Sequence, residues 1–195
     1  SFIAIPLVTV SWLLVGYSLA FSDGSAGGLI GGLSHIGLSG IAPDTLHGQV
    51  PELLFVTFQL SFAIITAALV SGAIADRAKF AAWVVFVPVW AIVVYAVVAH
   101  WVWATDGWLF KLGALDFAGG TVVHICSGAS GAALMMVVGK RKGFPKEIKP
   151  PHNLPFMMLG TGLLWFGWFG FNAGSAVAAD GLAASAFVVT MPFSS

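Results

Sequence analysis

A single histidine lies inside an apolar run that is long enough to cross a membrane. His124 belongs to the run from Asp116 to Val138, in which the only formally charged side chain is that of Asp116. If the run is one helix, His124 lies about 12 Å from its start, near the middle of a hydrocarbon layer of about 30 Å. An ionisable group is costly at that depth, so it predicts a functional site. The alternative is a packing histidine bonded to a neighbouring helix.

The residues around His124 are small. Gly120 and Gly128 lie four positions before and after it, with Ser127 and Gly131 close by. Small residues at this spacing allow close helix packing, but they also leave open space on both sides of an imidazole, as a narrow pore requires. Burial favours the neutral ring, which offers one hydrogen-bond donor and one acceptor. Such a ring could guide a small neutral molecule between apolar walls.

Asp116, at the start of this run, has two interpretations. At a helix N-terminus, a carboxylate accepts hydrogen bonds from unpaired backbone amides, which stabilises the helix by about 1 kcal/mol. The alternative is a cation site at the outer mouth of the span. The one cysteine, Cys126, lies within the same run. The sequence therefore indicates no cluster of metal ligands, and we expect neither a metal nor another cofactor.

Aromatic side chains are concentrated near one end of the predicted spans. Phe58 and Phe62 are one helical turn apart, and Phe171 lies near the end of a later run. Three tryptophans form a further group: Trp101, Trp103 and Trp108. Interfacial belts explain many such tryptophans, and core packing explains many phenylalanines. Aromatic faces around a small cavity can also bind a cation, with a stabilisation of about 2 kcal/mol once the cation is desolvated.

Composition and run lengths predict the elements that position these residues. The chain of 195 residues is 58% hydrophobic and 8% charged, with a mean hydropathy of +0.96, which is far from the composition of a soluble domain. Apolar runs of spanning length predict an all-α, polytopic bundle of about five membrane helices. They cover residues 2–21, 51–75, 80–99, 116–139 and 153–173, and a truncated run begins near residue 182. Their Gly, Ala and Pro content argues against a lipid-facing β-barrel.

The basic residues predict the orientation in a cell membrane. Seven of the eight Lys and Arg residues lie in two segments, 76–79 and 140–152. Because basic residues favour cytoplasmic loops, we expect these two segments inside the cell and loops 22–50 and 100–115 outside. The basic segment after residue 139 is interpreted as an anchor near anionic lipid. A net charge of zero gives no sign of nucleic-acid binding.

Several sequence motifs of this chain are specific enough to indicate a known family. They are Gly16–Phe21, Phe58–Phe62, Gly113–His124 (GALDFAGGTVVH), Lys149–Pro155 (KPPHNLP) and Gly167–Ser175 (GWFGFNAGS). In these motifs the chain resembles the ammonium transporter family (Amt/Mep/Rh), and bacterial and archaeal Amt proteins more than Rh proteins. The likeness covers residues 2–187 in order. With no initiating methionine and an interrupted last run, we expect the sequence to be a fragment of such a protein.

The resemblance implies a homotrimer in which each subunit has its own pore. Each subunit would contain eleven helices in two inverted halves of five, and the runs seen here would be helices two to six. A PII-type regulator would contact the cytoplasmic tail of the complete protein. The substrate would be ammonium, with methylammonium as a possible second substrate.

The resemblance also implies roles for individual residues. The residues that would recruit ammonium at the outer mouth are Trp103, Phe62, Ser175 and Phe58. Phe62 and Phe171 would stack as a gate beneath them, and His124 would be the first of two pore histidines. Asp116 and Asn172 would support transport structurally.

A physical argument links these roles to a mechanism. A bare cation at the centre of a bilayer faces an idealised penalty of tens of kcal/mol. Ammonium escapes it by losing a proton, whereas potassium cannot, so an apolar pore lined by histidine would conduct ammonia. One alternative is an ammonium sensor, or transceptor, with little transport. A membrane-embedded enzyme is a further alternative, but it needs paired ligands or carboxylates, and we expect no enzyme activity.

Overall fold

The computed structural model describes residues 2–25, 27–141, 143–147, 150 and 152–193. The chain divides into two compact units. The first contains residues 1–46 and 51–139, and the second contains residues 47–50 and 140–195. Each unit is described by itself.

Helices dominate both units, as the sequence predicts. The helices of the first unit are α1 (Ala4–Phe21), α2 (Glu52–Ile74), α3 (segments Phe80–Trp90, Ala91–Tyr95 and Ala96–Trp103), α4 (Trp108–Lys111) and α5 (Gly120–Val138). Those of the second unit are α6 (Leu154–Gly174) and α7 (Gly181–Phe193). A 3₁₀ turn covers Ile36–Leu38, and the short strands are β1 (Gly24–Ser25), β2 (Ile30–Gly31), β3 (Leu46–His47) and β4 (Val50–Pro51). Strand β1 pairs antiparallel with β2.

Among the described residues, five helices are long and apolar enough to cross a membrane. They are α1, α2, α3 continued through α4, α5 and α6. These five correspond in order to the predicted spans. Two of their starts lie within one residue of the predicted bounds. Helix α2 begins at Glu52, directly after Pro51, and α6 begins at Leu154, after Asn153, whose side chain caps it by accepting a hydrogen bond from the Phe156 amide at 3.0 Å.

Two helix boundaries differ from the prediction by four residues. Helix α3 continues to Trp103, four residues past the predicted end. Helix α5 begins at Gly120 rather than Asp116, because Gly119 has a φ of 98° that a helix cannot contain. His124 is therefore the fifth residue of its helix, and its predicted distance from the helix start is wrong. It lies in a π-helical turn, Gly120–Ile125, in which its amide donates to the Gly119 carbonyl at 3.0 Å.

The position of His124 relative to α2 follows from the packing of α5 against α2. A methyl group added to Gly119 would lie 3.5 Å from Cδ1 of Phe62, and one added to Gly131 would lie 3.2 Å from Cβ of Ala73. The contacts progress together along both helices, so the helices run in the same direction. Phe62 is near the middle of the 23-residue α2. Helix α5 therefore starts halfway along α2, and His124 lies level with the segment of α2 between Phe62 and Ala73.

Buried aromatic residues join α1, α2 and α3. Trp12 is buried and donates from Nε1 to the Val56 carbonyl at 3.2 Å, which satisfies an indole N–H that would otherwise be costly to bury. Its ring lies 6.0 Å from those of Tyr17 and Tyr95. The Tyr17 hydroxyl donates to Oε1 of Glu52 at 2.8 Å. These contacts bring the end of α1 to the start of α2.

In the second unit, the contacts between α6 and α7 include a polar pair and an aromatic pair. Nδ2 of Asn172 donates to Oγ1 of Thr190 at 3.0 Å, and the rings of Phe169 and Phe187 lie 4.8 Å apart. The carboxylate of Asp180 accepts the Ala183 amide at the start of α7. The predicted truncated run is thus a helix whose described part ends at Phe193.

Candidate functional site

Three of the predicted recruitment residues form one aromatic cluster in the first unit. The rings of Phe58 and Phe62 lie 5.0 Å apart at 78°, and those of Phe62 and Trp103 lie 5.2 Å apart at 84°. Both pairs are edge-to-face, the geometry that ring quadrupoles favour. Phe62 is 1% exposed, whereas Phe58 and Trp103 are half-buried. The cluster therefore has a buried base and two rings that reach a surface.

Trp103 is fixed by a residue outside the aromatic cluster. Its Nε1 donates to the backbone carbonyl of Asp116 at 2.8 Å. A hydrogen bond at the ring edge restricts rotation about both side-chain torsions. The indole consequently presents a defined face toward Phe62.

The Asp116 carboxylate makes the contacts of the capping interpretation. One oxygen accepts the Gly119 amide at 2.6 Å, and the other accepts the Thr121 and Val122 amides at 2.8 and 2.9 Å. These amides lie at the start of α5, where no intrahelical carbonyl is available to them. Across the described parts of the chain, no group of three His, Cys, Asp or Glu residues is placed to hold a metal ion.

His124 lies outside the stripe by which α5 packs on its neighbours. The buried residues of α5 are Val122, Val123, Cys126, Ser127 and Gly131. The side chain of His124 is exposed in this chain, unlike the buried ring that the sequence predicts, because it projects away from that stripe. Its backbone carbonyl accepts the Ser127 hydroxyl at 3.2 Å.

Of the glycines around His124, some border open space and one packs closely against a neighbouring helix. A methyl group added at Gly120 or Gly128 would meet no described atom within 4 Å, so these positions border open space. A methyl group at Gly131 would lie tightly against Ala73. Close packing thus explains Gly131, and the open space on both sides of the histidine coincides with Gly120 and Gly128.

The other predicted site residues lie in the second unit. Phe171, Asn172 and Ser175 are on α6 or directly after it, and all are half-buried. The Ser175 hydroxyl donates to the Phe171 carbonyl at 2.9 Å, and the Asn172 amide bonds Thr190 as described above. Their proximity to the aromatic cluster stays a prediction.

Almost the whole chain matches one protein family. The model of the Ammonium Transporter Family matches residues 1–192. The chain belongs to the ammonium transporter family. It is 50% identical over 212 residues to an ammonium transporter of Mycobacterium tuberculosis strain H37Rv, with 96% of this chain and 44% of that protein covered. It is 50% identical over 192 residues to an ammonium transporter of Bacillus subtilis strain 168, with 97% and 46% covered.

Solved structures of the ammonium transporter family have the same fold. The Saccharomyces cerevisiae Mep2 crystal structure matches with a TM-score of 0.84 and 39% identity, covering 97% of this chain and 42% of that one. A structure described as a Sensor Amt Protein matches with a TM-score of 0.82 and 33% identity, covering 94% and 47%. The chain thus spans less than half the length of these relatives. Family membership and five long apolar helices make it an integral membrane protein.

Sequence reasoning missed the contacts of His100 and Trp101, which lie on the same helix end as Trp103. His100, three residues before Trp103, is completely buried and faces Asp106. Trp101, interpreted as an interfacial residue, donates to the Leu29 carbonyl at 2.7 Å. The predicted loop 100–115 begins at His100, directly after an apolar run, so the sequence carried no signal that this histidine is buried.

Proposed function

We propose that this chain forms part of a pore that takes up ammonium as a cation and conducts it as ammonia, with methylammonium as a second substrate. The supporting observation is the cluster of Phe58, Phe62 and Trp103 beside the start of α5, the helix in which His124 lies between two unfilled glycine positions. The cluster supplies a place for the cation. The histidine helix supplies a path for a neutral molecule.

Recruitment would depend on the exposed faces of the cluster. A cation within about 6 Å of a ring centroid is attracted to the ring face, by about 2 kcal/mol when desolvated. Trp103 and Phe58 are half-buried, so their faces remain accessible while Phe62 closes the base. By the family resemblance Ser175 would also belong to this site, and its hydroxyl, which donates to the Phe171 carbonyl, keeps oxygen lone pairs for an ammonium N–H.

Selectivity would follow from the loss of a proton, which ammonium would release to water at the outer mouth before ammonia enters the apolar pore. The cation–π attraction offsets only a small part of the cost of placing a charge in an apolar medium. Phe62 and Phe171 would act as a gate that a hydrated ion cannot pass. Ammonia could then move along His124, which accepts or donates a hydrogen bond in its neutral form. Potassium has no proton to lose and would be excluded.

The proposed orientation places the basic ends of α2 and α5 in the cytoplasm. The Arg77 guanidinium donates to the Ala73 carbonyl at the end of α2 and to the Gly139 carbonyl after α5. This contact supports a shared side for the ends of α2 and α5, and basic residues follow both helices in the sequence. Loops 22–50 and 100–115 would face outward. We expect the complete protein to be a homotrimer that contacts anionic lipid and a PII-type regulator.

Two matched tryptophan variants test the proposal. In a full-length transporter that carries this sequence, Trp103→Leu is expected to raise the KM for methylammonium uptake about tenfold, since it removes a cation-binding face. Trp101→Leu is the control, because Trp101 lies on the same helix end but bonds Leu29. Equal KM values for the two variants would contradict the proposed recruitment site.

Ammonium sensing is a second candidate function, because the chain is 33% identical to a protein described as a Sensor Amt Protein. The same aromatic cluster would bind ammonium in a sensor, but flux would be small. Measuring methylammonium binding by calorimetry beside uptake into proteoliposomes distinguishes the two. Binding without flux would favour the sensor.

A further inference from the structure

His100 is a completely buried histidine near the end of α3 whose tautomer is defined by its contacts. Its Nδ1 lies 3.1 Å from the backbone carbonyl oxygen of Ala20. A carbonyl oxygen can only accept, so Nδ1 must carry a hydrogen. In a neutral imidazole the other nitrogen, Nε2, then carries a lone pair and no hydrogen.

Nε2 of His100 faces a carboxylate. It lies 3.7 Å from Oδ1 of Asp106, which is too long for a hydrogen bond, and it makes no hydrogen bond to a described residue. Two acceptors therefore face each other without a hydrogen between them. The carboxylate cannot easily turn away, because its other oxygen accepts the Gly24 amide.

Gly24 covers the gap between these two groups. A methyl group added to Gly24 would lie 2.6 Å from Nε2 of His100 and 2.5 Å from Oδ2 of Asp106. The gap thus has room for the glycine hydrogen but not for a side chain. Its geometry suits a hydrogen on Nε2 that points toward the carboxylate.

We propose that His100 and Asp106 form a proton-binding site that positions Trp103. A proton from solvent would add to the Nε2 lone pair, and the resulting imidazolium would donate to Asp106 while keeping its bond to Ala20. The ring charge would be balanced by the carboxylate, and the bond would be charge-assisted. The Asp106 side chain is 31% exposed, so solvent reaches the pair from that side.

The bridge would act on Trp103 through the turn that follows it. His100 precedes Trp103 by one turn of α3, and its carbonyl accepts the Ala104 amide at 3.2 Å. Asp106 lies in the same turn, and Gly107 packs directly against the His100 carbonyl. Closing the bridge would hold both sides of the Trp103 backbone, while Asp116 holds its ring. This role depends on the proposed recruitment function of Trp103.

The other titratable groups on the surrounding elements are of three kinds. Tyr17 on α1 donates to Glu52, and the Asp116 carboxylate accepts three amides at the start of α5. Asp23, Lys111 and His124 are exposed. Tyr95 on α3 and Cys126 on α5 are buried, and the Tyr95 hydroxyl makes no hydrogen bond to a described residue, but Tyr95 lies one and a half turns from His100 along α3. Asp106 is the group with which His100 makes its recorded ion pair.

The first experiment reads the proton directly and does not depend on transport. The full-length transporter that carries this sequence is labelled with ¹⁵N-histidine in bilayers, and His100→Asn identifies the His100 signals in the spectrum. We expect the Nε2 signal to change from the unprotonated to the protonated type when the sample is acidified from pH 8 to pH 5. A signal that stays the same across this range would overturn the proposal.

The second experiment measures the consequence for Trp103. Methylammonium remains protonated between pH 5 and 8, so uptake kinetics at different external pH values are comparable. The wild-type KM is expected to be lower at pH 5 than at pH 8. The ratio of the KM at pH 8 to the KM at pH 5 should be about threefold smaller in His100→Asn than in the wild type, since one hydrogen bond contributes modestly. His100→Asn can keep the Ala20 bond but has no titrating group. The maximal rate should keep its wild-type pH dependence.

A second variant and a control keep this test decisive. Asp106→Asn alters the exposed partner, so it reports on the pair even if a substitution at buried His100 prevents folding. His35→Asn is the control, because His35 bonds Ser39 in the loop and should retain the wild-type KM ratio. An unchanged ratio in Asp106→Asn would overturn the proposal. If that occurs while Trp103→Leu still raises KM, the recruitment site stands without the proton site. If Trp103→Leu has no effect, the proposed function itself fails.

Discussion

The indole Nε1 of Trp103 donates a hydrogen bond of 2.8 Å to the backbone carbonyl of Asp116. The carboxylate of the same aspartate accepts three amides at the start of α5, from Gly119, Thr121 and Val122. Asp116 therefore connects the ring of the aromatic cluster to the helix that carries His124. A displacement of this one residue would alter the two parts of the candidate site together.

Removal of the Asp116 carboxylate should destabilise the protein and weaken substrate binding. Asp116→Ala leaves three amides without their acceptor, and we expect the free energy of unfolding to fall by about 2 kcal/mol. Asp116→Asn keeps one acceptor oxygen and should lose less. The measurements are thermal unfolding in detergent and the KM for methylammonium, which should rise because the Trp103 anchor shifts.

Asp180 provides the control for this prediction. Its carboxylate also caps a helix, but it accepts only the Ala183 amide among the recorded hydrogen bonds of the described chain. Asp180→Ala should therefore cost less stability than Asp116→Ala. Equal losses would contradict the argument that the three amide contacts determine the effect.

Replacement of His124 should change conduction rather than assembly. The side chain is exposed and lies outside the packing stripe of α5, so His124→Ala should leave the packing of that stripe in place. We expect altered methylammonium uptake rate or altered exclusion of potassium, with the oligomer unchanged in size-exclusion chromatography. His35→Ala serves as the histidine control. Unchanged uptake together with unchanged potassium exclusion would rule out the proposed pore role.

Two glycines of α5 should respond in opposite ways to a larger side chain. Gly128→Val places methyl groups in the open space one turn from His124, so uptake should fall while the unfolding temperature stays near wild type. Gly131→Val forces the added groups against Ala73, where a single Cβ would already lie at 3.2 Å. Overpacking of this kind costs about 1–3 kcal/mol, so this variant should unfold at a lower temperature. A loss of stability at Gly128 and none at Gly131 would reverse the assignment of packing and open space.

The helices could be predicted because their cause is local. In a bilayer each backbone amide and carbonyl must be satisfied within its own segment, so a long apolar run specifies a helix without reference to other residues. Pro51 and Asn153 marked helix starts for equally local reasons. The motif Gly113–His124 also carried the family resemblance, which the family match to residues 1–192 confirmed.

The start of α5 shows where local reasoning failed. A carboxylate before an apolar run predicts a helix start at that residue, but Asp116 caps the helix from four positions before it. Gly119, with its φ of 98°, turns the chain before α5, and the Asp116 oxygens accept amides on both sides of that turn. The difference moved His124 to the fifth position of its helix. Only the packing of α5 halfway along α2 gave the position of His124 relative to that helix.

The sequence by itself determined that this protein is a bundle of membrane helices of the ammonium transporter family, because hydrophobic length and contiguous motifs are properties of single segments. The tertiary structure alone decided which groups face one another: Trp103 with Asp116, Phe62 with Trp103, and His100 with Asp106. Each of these pairs depends on the relative positions of separate elements. Hydrogen-bond and ring geometry depend on distances of a few ångströms, and such distances are set by the packing of the helices and turns rather than by spacing along the chain.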